Sequence, residues 1–149
     1  MFFVTLMSQQ KSMEQVIELL KSKHLSATPF RLEVASILWQ NKQPIFQKEL
    51  EKRLPESHDR VTLYRTLKLF IEKNLIHRIA IDNSQVAYKL NTNNQSPTPE
   101  HLHFYCNLCH QVICMPELPI TDVKLPTGFE KSECRFVIDG KCKSCNTTN

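Results

Sequence analysis

The sequence predicts an α+β chain in two parts, helices closed by a β-hairpin and then a small cysteine-rich module. Three observations carry this. Apolar residues recur at helical spacing through the first seventy residues and give way to two short β-rich runs; all six cysteines fall after residue 100; and the charge divides with them. Residues 1–90 hold 14 Lys and Arg against 9 Asp and Glu, a net +5, whereas residues 91–149 hold 5 against 6, a net −1. The polar, proline-bearing stretch at 91–99 separates the halves and reads as a linker, giving parts at 1–90 and 100–149. With 149 residues, 41% apolar and 23% charged, the chain can bury a core in one or two small domains. Only two glycines argue against Gly-rich phosphate loops and dinucleotide fingerprints.

The apolar start, Met1 to Met7, lacks a basic region and a cleavage site, so it is not read as a signal peptide; nothing before Met7 looks structural, and Met7 is an alternative start. No run approaches the ~18 apolar residues of a membrane span. The expected address is cytoplasmic, where reduced cysteines serve as metal ligands or redox centres before they serve as disulfides.

Ser12 to His24 reads as a first helix on Met13, Val16, Ile17 and Leu20. Thr28 is placed to cap a second, with Pro29 at its first position. Pro44 breaks the pattern, and Phe46 to Leu54 reads as a short third helix stopped by Pro55. Asp59 can cap a fourth helix through Lys73. At 100° per residue this helix turns Leu63, Leu67, Phe70 and Ile71 inward and Val61, Arg65 and Lys68 outward, with Tyr64 on the flank. Residues 75–81 and 85–90 are strand-like around the turn former Asp82-Asn83-Ser84. Helices followed by such a hairpin make a winged helix-turn-helix, whose basic helix enters the major groove while the hairpin rides the backbone. Phosphate contacts by cations would supply affinity, and Tyr64 and Arg65 can reach bases or sugar. Winged domains also serve as protein-interaction modules.

In the second part Cys106-x-x-Cys109 and Cys142-x-x-Cys145 stand 32 residues apart. Two such turns complete a tetrahedral four-thiolate site suited to one structural zinc per chain; two separate redox or disulfide pairs are the other reading. In a module this small the metal's binding energy is part of the folding energy. His101-Leu102-His103 lies in a β-rich stretch whose alternation puts both imidazoles on one face. With Cys114 and Cys134 they form a candidate second site, for zinc or iron; taken singly, each cysteine reads more readily as a small buried hydrophobe and each histidine as a polar surface residue, and it is their combination that favours the site.

Together these residues resemble the ferric uptake regulator family of metal-dependent bacterial transcriptional regulators. The resemblance runs from about Ser12 to Cys145, through Thr28-Pro29-x-Arg31, Thr62-Leu63-Tyr64-Arg65-Thr66-Leu67, His101-x-His103-x-x-Cys106-x-x-Cys109 and Gly140-x-Cys142-x-x-Cys145. It implies an N-terminal winged helix-turn-helix followed by a small C-terminal α/β zinc-binding dimerisation domain, and a homodimer that closes on double-stranded operator DNA when a regulatory metal binds. Tyr64 and Arg65 inherit DNA contact, with Arg60, Thr62 and Lys68 on the same helix and Thr28 and Arg31 in support. Cys106, Cys109, Cys142 and Cys145 inherit the structural zinc, and His101 and His103 the regulatory site.

The departures bear on the signal. The family commonly places a His where this chain has Gln43, acids where it has Lys89 and Cys114, and often a His where it has Cys134. A set of two histidines and two cysteines favours zinc, or thiol-based redox control, over iron. A constitutive, degenerate regulator is the alternative, and a zinc enzyme ranks lower because no motif positions a general acid or base. The expected protein is therefore not an enzyme and takes no small-molecule substrate beyond metal ions. His110, beside Cys109, either joins one of these sites or replaces a small residue there.

Overall fold

A computed structural model describes residues 2–91, 101–120, 124–131 and 134–147 of the chain. Four helices come first: α1 (Phe2–Ser22), α2 (Pro29–Gln40), α3 (Gln47–Arg53) and α4 (Arg60–Glu72), with a two-residue strand β1 (Ile45–Phe46) before α3. Strands β2 (Ile76–Ala80) and β3 (Val86–Leu90) form the hairpin, and β1 joins it in the order β1-β3-β2, all antiparallel. A second sheet follows in the order β5-β4-β6, from β4 (His101–Cys106), β5 (Val112–Pro119) and β6 (Val137–Gly140), and a one-turn helix α5 (Lys143–Asn146) ends the described chain. Strand β6 lies parallel to β4, and β5 antiparallel to it. Helical residues thus precede a small sheet, as the α+β reading expects. Among the described residues no helix is long and apolar enough to cross a membrane.

The main core joins α1 to α4 and the hairpin through Leu20, Leu38, Leu50, Phe70 and Ile76, all at most 2% exposed. In α4, Leu63, Leu67 and Phe70 are buried as the helical period requires. Ile71, expected inside, is exposed, and Thr66 is buried in its place: the inward stripe drifts around the helix, leaving Ile71 on its edge. Asp59 caps α4, its Oδ2 accepting from the Thr62 amide at 3.2 Å. Thr28 occupies the N-cap position of α2 without a side-chain cap bond. In the hairpin turn Asp82 Oδ1 accepts from the amides of Ser84 at 2.6 Å and Gln85 at 2.8 Å, an Asx turn.

Four elements depart from the sequence reading. Helix α1 begins at Phe2 rather than Ser12, since no Pro or Gly interrupts the chain from there. Phe46 belongs to a strand, because Ile45 and Phe46 pair with Tyr88 and Ala87, a long-range pairing that local pattern does not reveal. Strand β5 continues through Pro116, which falls in the irregularity where Leu102 pairs with Met115 and His101 with Pro119, so the ladder asks no donor of it. Strand β6 starts at Val137, not Cys134. Glycine scarcity also leaves a mark: His24, Asn74 and His110 take the left-handed backbone that glycine usually supplies at helix ends and tight turns.

A smaller apolar seam joins the two sheets. Ile79 and Ala87 of the hairpin meet Val112 of β5, with Phe46, Tyr105 and Cys114 packed around them.

Candidate metal centres and nucleic-acid face

The four C-x-x-C thiols converge. Cys106 ends β4 and Cys109 follows in the turn before β5, while Cys142 caps α5 and Cys145 lies within it. All four sulfurs lie within 4.8 Å of one another, with Cys109 and Cys142 Sγ at 3.7 Å. The parallel pairing of β4 with β6 creates this meeting, since Cys106 stands opposite Gly140, two residues before Cys142. A Cβ on Gly140 would sit 3.0 Å from Phe104 Cζ and 3.2 Å from its Cε2, so a larger residue there has to push the Phe104 ring aside.

The site is built for thiolates. Amide donors from Cys109 and then Cys142 pull the Cys106 thiol down to about 6, and the Cys142 amide lies 3.3 Å from Cys106 Sγ. Cys145 is pushed up to about 12 by hydrogen bonding with Cys142 and Cys109. Four crowded sulfurs cannot all carry charge unaided, so the donor set calls for a soft or borderline cation such as zinc. His110 lies outside this group; its left-handed backbone completes the turn after Cys109, and its Nδ1 is 2.8 Å from the Tyr105 hydroxyl.

A second cluster spans the seam. His101 and His103 share one face of β4 with ring centroids 4.6 Å apart, and Cys114 stands opposite His103 in the β4–β5 register. The fourth member is His77 of β2, which sequence reasoning missed; its Nε2 lies 3.5 Å from Cys114 Sγ. The donor atoms of His77, His101, His103 and Cys114 all fall within 4.8 Å of one another. Cys134 does not belong to this group and is half-buried elsewhere. The signal for His77 was its place two residues before Ile79, on the hairpin face that meets the second sheet.

Electrostatics keep these groups ready as ligands. Burial holds His103 down to about 4, helped by the His101 and His77 rings, and burial likewise lowers His77, so both imidazoles are neutral near pH 7. Nε2 of His103 is buried with no hydrogen-bond partner among the described residues, a nitrogen lone pair facing the cluster. Burial raises the Cys114 thiol, and the Lys89 ammonium opposes it. Three imidazoles and one thiol at this spacing suit tetrahedral zinc.

Residues 12–138 match the ferric uptake regulator family. The chain belongs to this family. It is 27% identical to the ferric uptake regulation protein of Synechococcus elongatus over 88 residues, 56% of this chain, and the match spans 57% of the length of that relative. Its fold is similar to that of a zinc uptake regulator solved with zinc and DNA, at TM-score 0.67 and 21% identity over 93% of this chain and 95% of the other. It is also similar to the ferric uptake regulator of Vibrio cholerae, at TM-score 0.56 and 24% identity over 85% and 98% of the two chains.

Within this ferric uptake regulator fold, α4 presents a polar and basic outer face. Arg60, Thr62, Tyr64, Arg65 and Lys68 are all exposed, Tyr64 by 67%. Thr28 is exposed at the start of α2, whereas Arg31 is half-buried and donates to Ser26 Oγ and to the Ser26 carbonyl at 3.2 Å, closing the loop before that helix. A cleft of about 1300 Å³ runs between α3, the start of α4, the hairpin turn and the thiol turn, lined in part by Arg60, Tyr64, Gln85, Tyr105 and His110. Of the positions where the family resemblance expects regulatory ligands, Gln43 is exposed and outside the cluster, while Lys89 stands opposite His77 in the hairpin register.

Proposed function

We propose that this family member is a homodimeric, metal-responsive transcriptional repressor that binds operator DNA when an ion occupies the His77, His101, His103 and Cys114 cluster. One observation carries the reading: the cluster draws one donor from the hairpin and three from the second sheet, so a single ion ties the DNA-facing part to the part beyond it. Residues 1–90 would read DNA, through Tyr64 and Arg65 with Arg60, Thr62 and Lys68, and residues 100–149 would dimerise. Leu118, Leu125, Phe129 and Ile138 leave apolar surface exposed in that second part, which supports a second copy as its partner.

The four-cysteine group would hold one structural zinc per chain, and its binding energy would help fold a small sheet. For the regulatory ion the donors favour zinc over iron, because three imidazoles and a thiolate match its tetrahedral preference and no carboxylate joins them among the described residues. Such an ion shifts DNA affinity only by binding the DNA-competent arrangement more tightly than the alternatives. The test is operator affinity of protein whose four-thiolate site stays filled, measured with and without added zinc; equal affinity overturns metal control. Iron added anaerobically in place of zinc tests the choice of metal.

A further inference from the structure

The structure assigns to Asn91 a positioning role in the second metal cluster: it holds His77 in the Nδ1-protonated tautomer, so that Nε2 offers its lone pair to the ion, and it ties this arrangement to the end of α4. The inference rests on the regulatory reading above, but its geometry stands independently in the metal-free chain.

Asn91 directly follows β3 and is 5% exposed. Its Nδ2 lies 3.3 Å from the Asn74 carbonyl and 2.9 Å from Asn74 Oδ1. A carbonyl cannot donate, so the amide nitrogen belongs on that side and Oδ1 faces His77. Oδ1 sits 2.7 Å from His77 Nδ1. That ring nitrogen must therefore carry the proton, which leaves Nε2 bare, 3.5 Å from Cys114 Sγ. In water the histidine side chain favours the opposite tautomer, with Nε2 protonated and blocked. Asn91 thus performs the outer-shell task that fixes ring orientation and tautomer in metal sites.

The same residue reaches the DNA-facing part. Asn74 is the left-handed residue that ends α4, with φ 52°. The Asn91 backbone N–H also donates to the Leu75 carbonyl at 2.9 Å. One carboxamide therefore joins Asn74, just past the C-terminus of α4, to His77, immediately before the segment that leads to β4. Only a side chain with both an acceptor and a donor serves both partners: aspartate keeps the acceptor for His77 and gives up the donor to Asn74, and leucine keeps neither.

The test uses full-length protein with the four-thiolate zinc retained and the second site empty. Nitrogen–proton correlation spectra of the histidine rings report the His77 tautomer, and zinc titration against a chromophoric chelator reports second-site affinity. In the wild type His77 should show a protonated Nδ1. Asn91→Leu should lose that signature and weaken second-site zinc about 10–100-fold, the range typical of outer-shell substitutions. Asn91→Asp should keep both the tautomer and the affinity to within about threefold, because the acceptor remains. An unchanged tautomer and affinity in Asn91→Leu overturns the assignment, as does a loss in Asn91→Asp. Should Asn91→Leu fail to fold, Asn91→Ala, which also removes the acceptor, takes its place with the same expected losses, and an unchanged tautomer and affinity there overturns the assignment. If zinc fills the second site and DNA affinity does not respond, the regulatory reading fails while the tautomer and affinity still decide the role of Asn91.

Discussion

Replacing His77 with alanine should separate binding of the second ion from its effect on DNA. Among the described residues His77 is the one hairpin member of the cluster, and His101, His103 and Cys114 all belong to the second sheet. Four-ligand zinc sites bind with about 10–16 kcal/mol, so an equal share per ligand is about 2.5–4 kcal/mol, roughly 10²–10³-fold in Kd. His77→Ala and Cys114→Ser should both weaken second-site zinc by that order, as measured by chelator competition. They should differ once zinc saturates. Cys114→Ser still has a donor on each side, so its DNA affinity should recover the wild-type response, expected at about 5–150-fold for a coupling of about 1–3 kcal/mol. In His77→Ala the remaining three donors lie on one sheet, and occupancy no longer bears on the hairpin. The seam of Ile79, Ala87 and Val112 persists, so the variant should stay folded. The assay is fluorescence anisotropy on an operator duplex obtained by selection with the wild-type protein, across zinc concentrations that saturate each variant. A full zinc response in His77→Ala at saturation would refute the reasoning.

Three further changes test other parts. Arg65→Ala should weaken operator binding by about 1–3 kcal/mol with helix content unchanged, because the side chain is exposed on the outer face of α4; unaltered affinity takes Arg65 out of the interface. Gly140→Ala places a Cβ 3.0 Å from Phe104 Cζ and should cost about 1–3 kcal/mol while making the four-thiolate zinc easier to strip; Phe104→Leu in the same chain should restore both, and no change in chelation rate would contradict the account. His103 is held at about 4 when folded against 6.5 when unfolded, so the folded chain binds fewer protons in that interval. The stability it contributes is in place above pH ~6.5 and is lost as pH falls toward ~4. Thermal midpoints of protein lacking only the second ion should drop through that window, and His103→Gln should flatten the drop; an equal slope in both would rule His103 out as its source.

The helices and hairpin were legible because their signals are local. Leu63, Leu67 and Phe70 follow the helical period, Asp59 caps its helix, and Asp82 makes its turn from side chain to neighbouring amides. The thiol pairs were legible for the same reason, since each C-x-x-C brings two sulfurs together within one turn and only the meeting of the pairs depends on the fold. The second cluster was half legible. Alternation along β4 places His101 and His103 together, but which further residues face them depends on how β5 registers and how the hairpin docks. Cys134 has a ligand's chemistry without the position; His77 has both, but as a histidine in a strand it shows its partners only after two sheets pack. Asn91 was hidden more deeply, because a polar residue at the start of a proline-bearing stretch reads as linker, while its burial at 5% and its bonds to Asn74 and His77 exist only in the folded chain.

The position of His77 also explains how a site can keep its place while losing an expected ligand. The family resemblance expects an acid at Lys89, and a lysine there repels a cation. Yet Lys89 and His77 are direct partners across the β2–β3 ladder, and opposed residues in such a pair project on the same face. A donor moved from one strand to its neighbour therefore enters the same space from the side, without any change in fold. The lysine then gains a compatible use: its charge opposes the burial that raises the Cys114 thiol and so favours the thiolate form that binds zinc. An acid at Lys89 would reverse that effect and add a hard oxygen donor. Lys89→Glu should accordingly weaken the selectivity for zinc over ferrous iron, read as the ratio of their second-site affinities under anaerobic conditions. A ratio unchanged from the wild type would show that the four donors alone choose the metal.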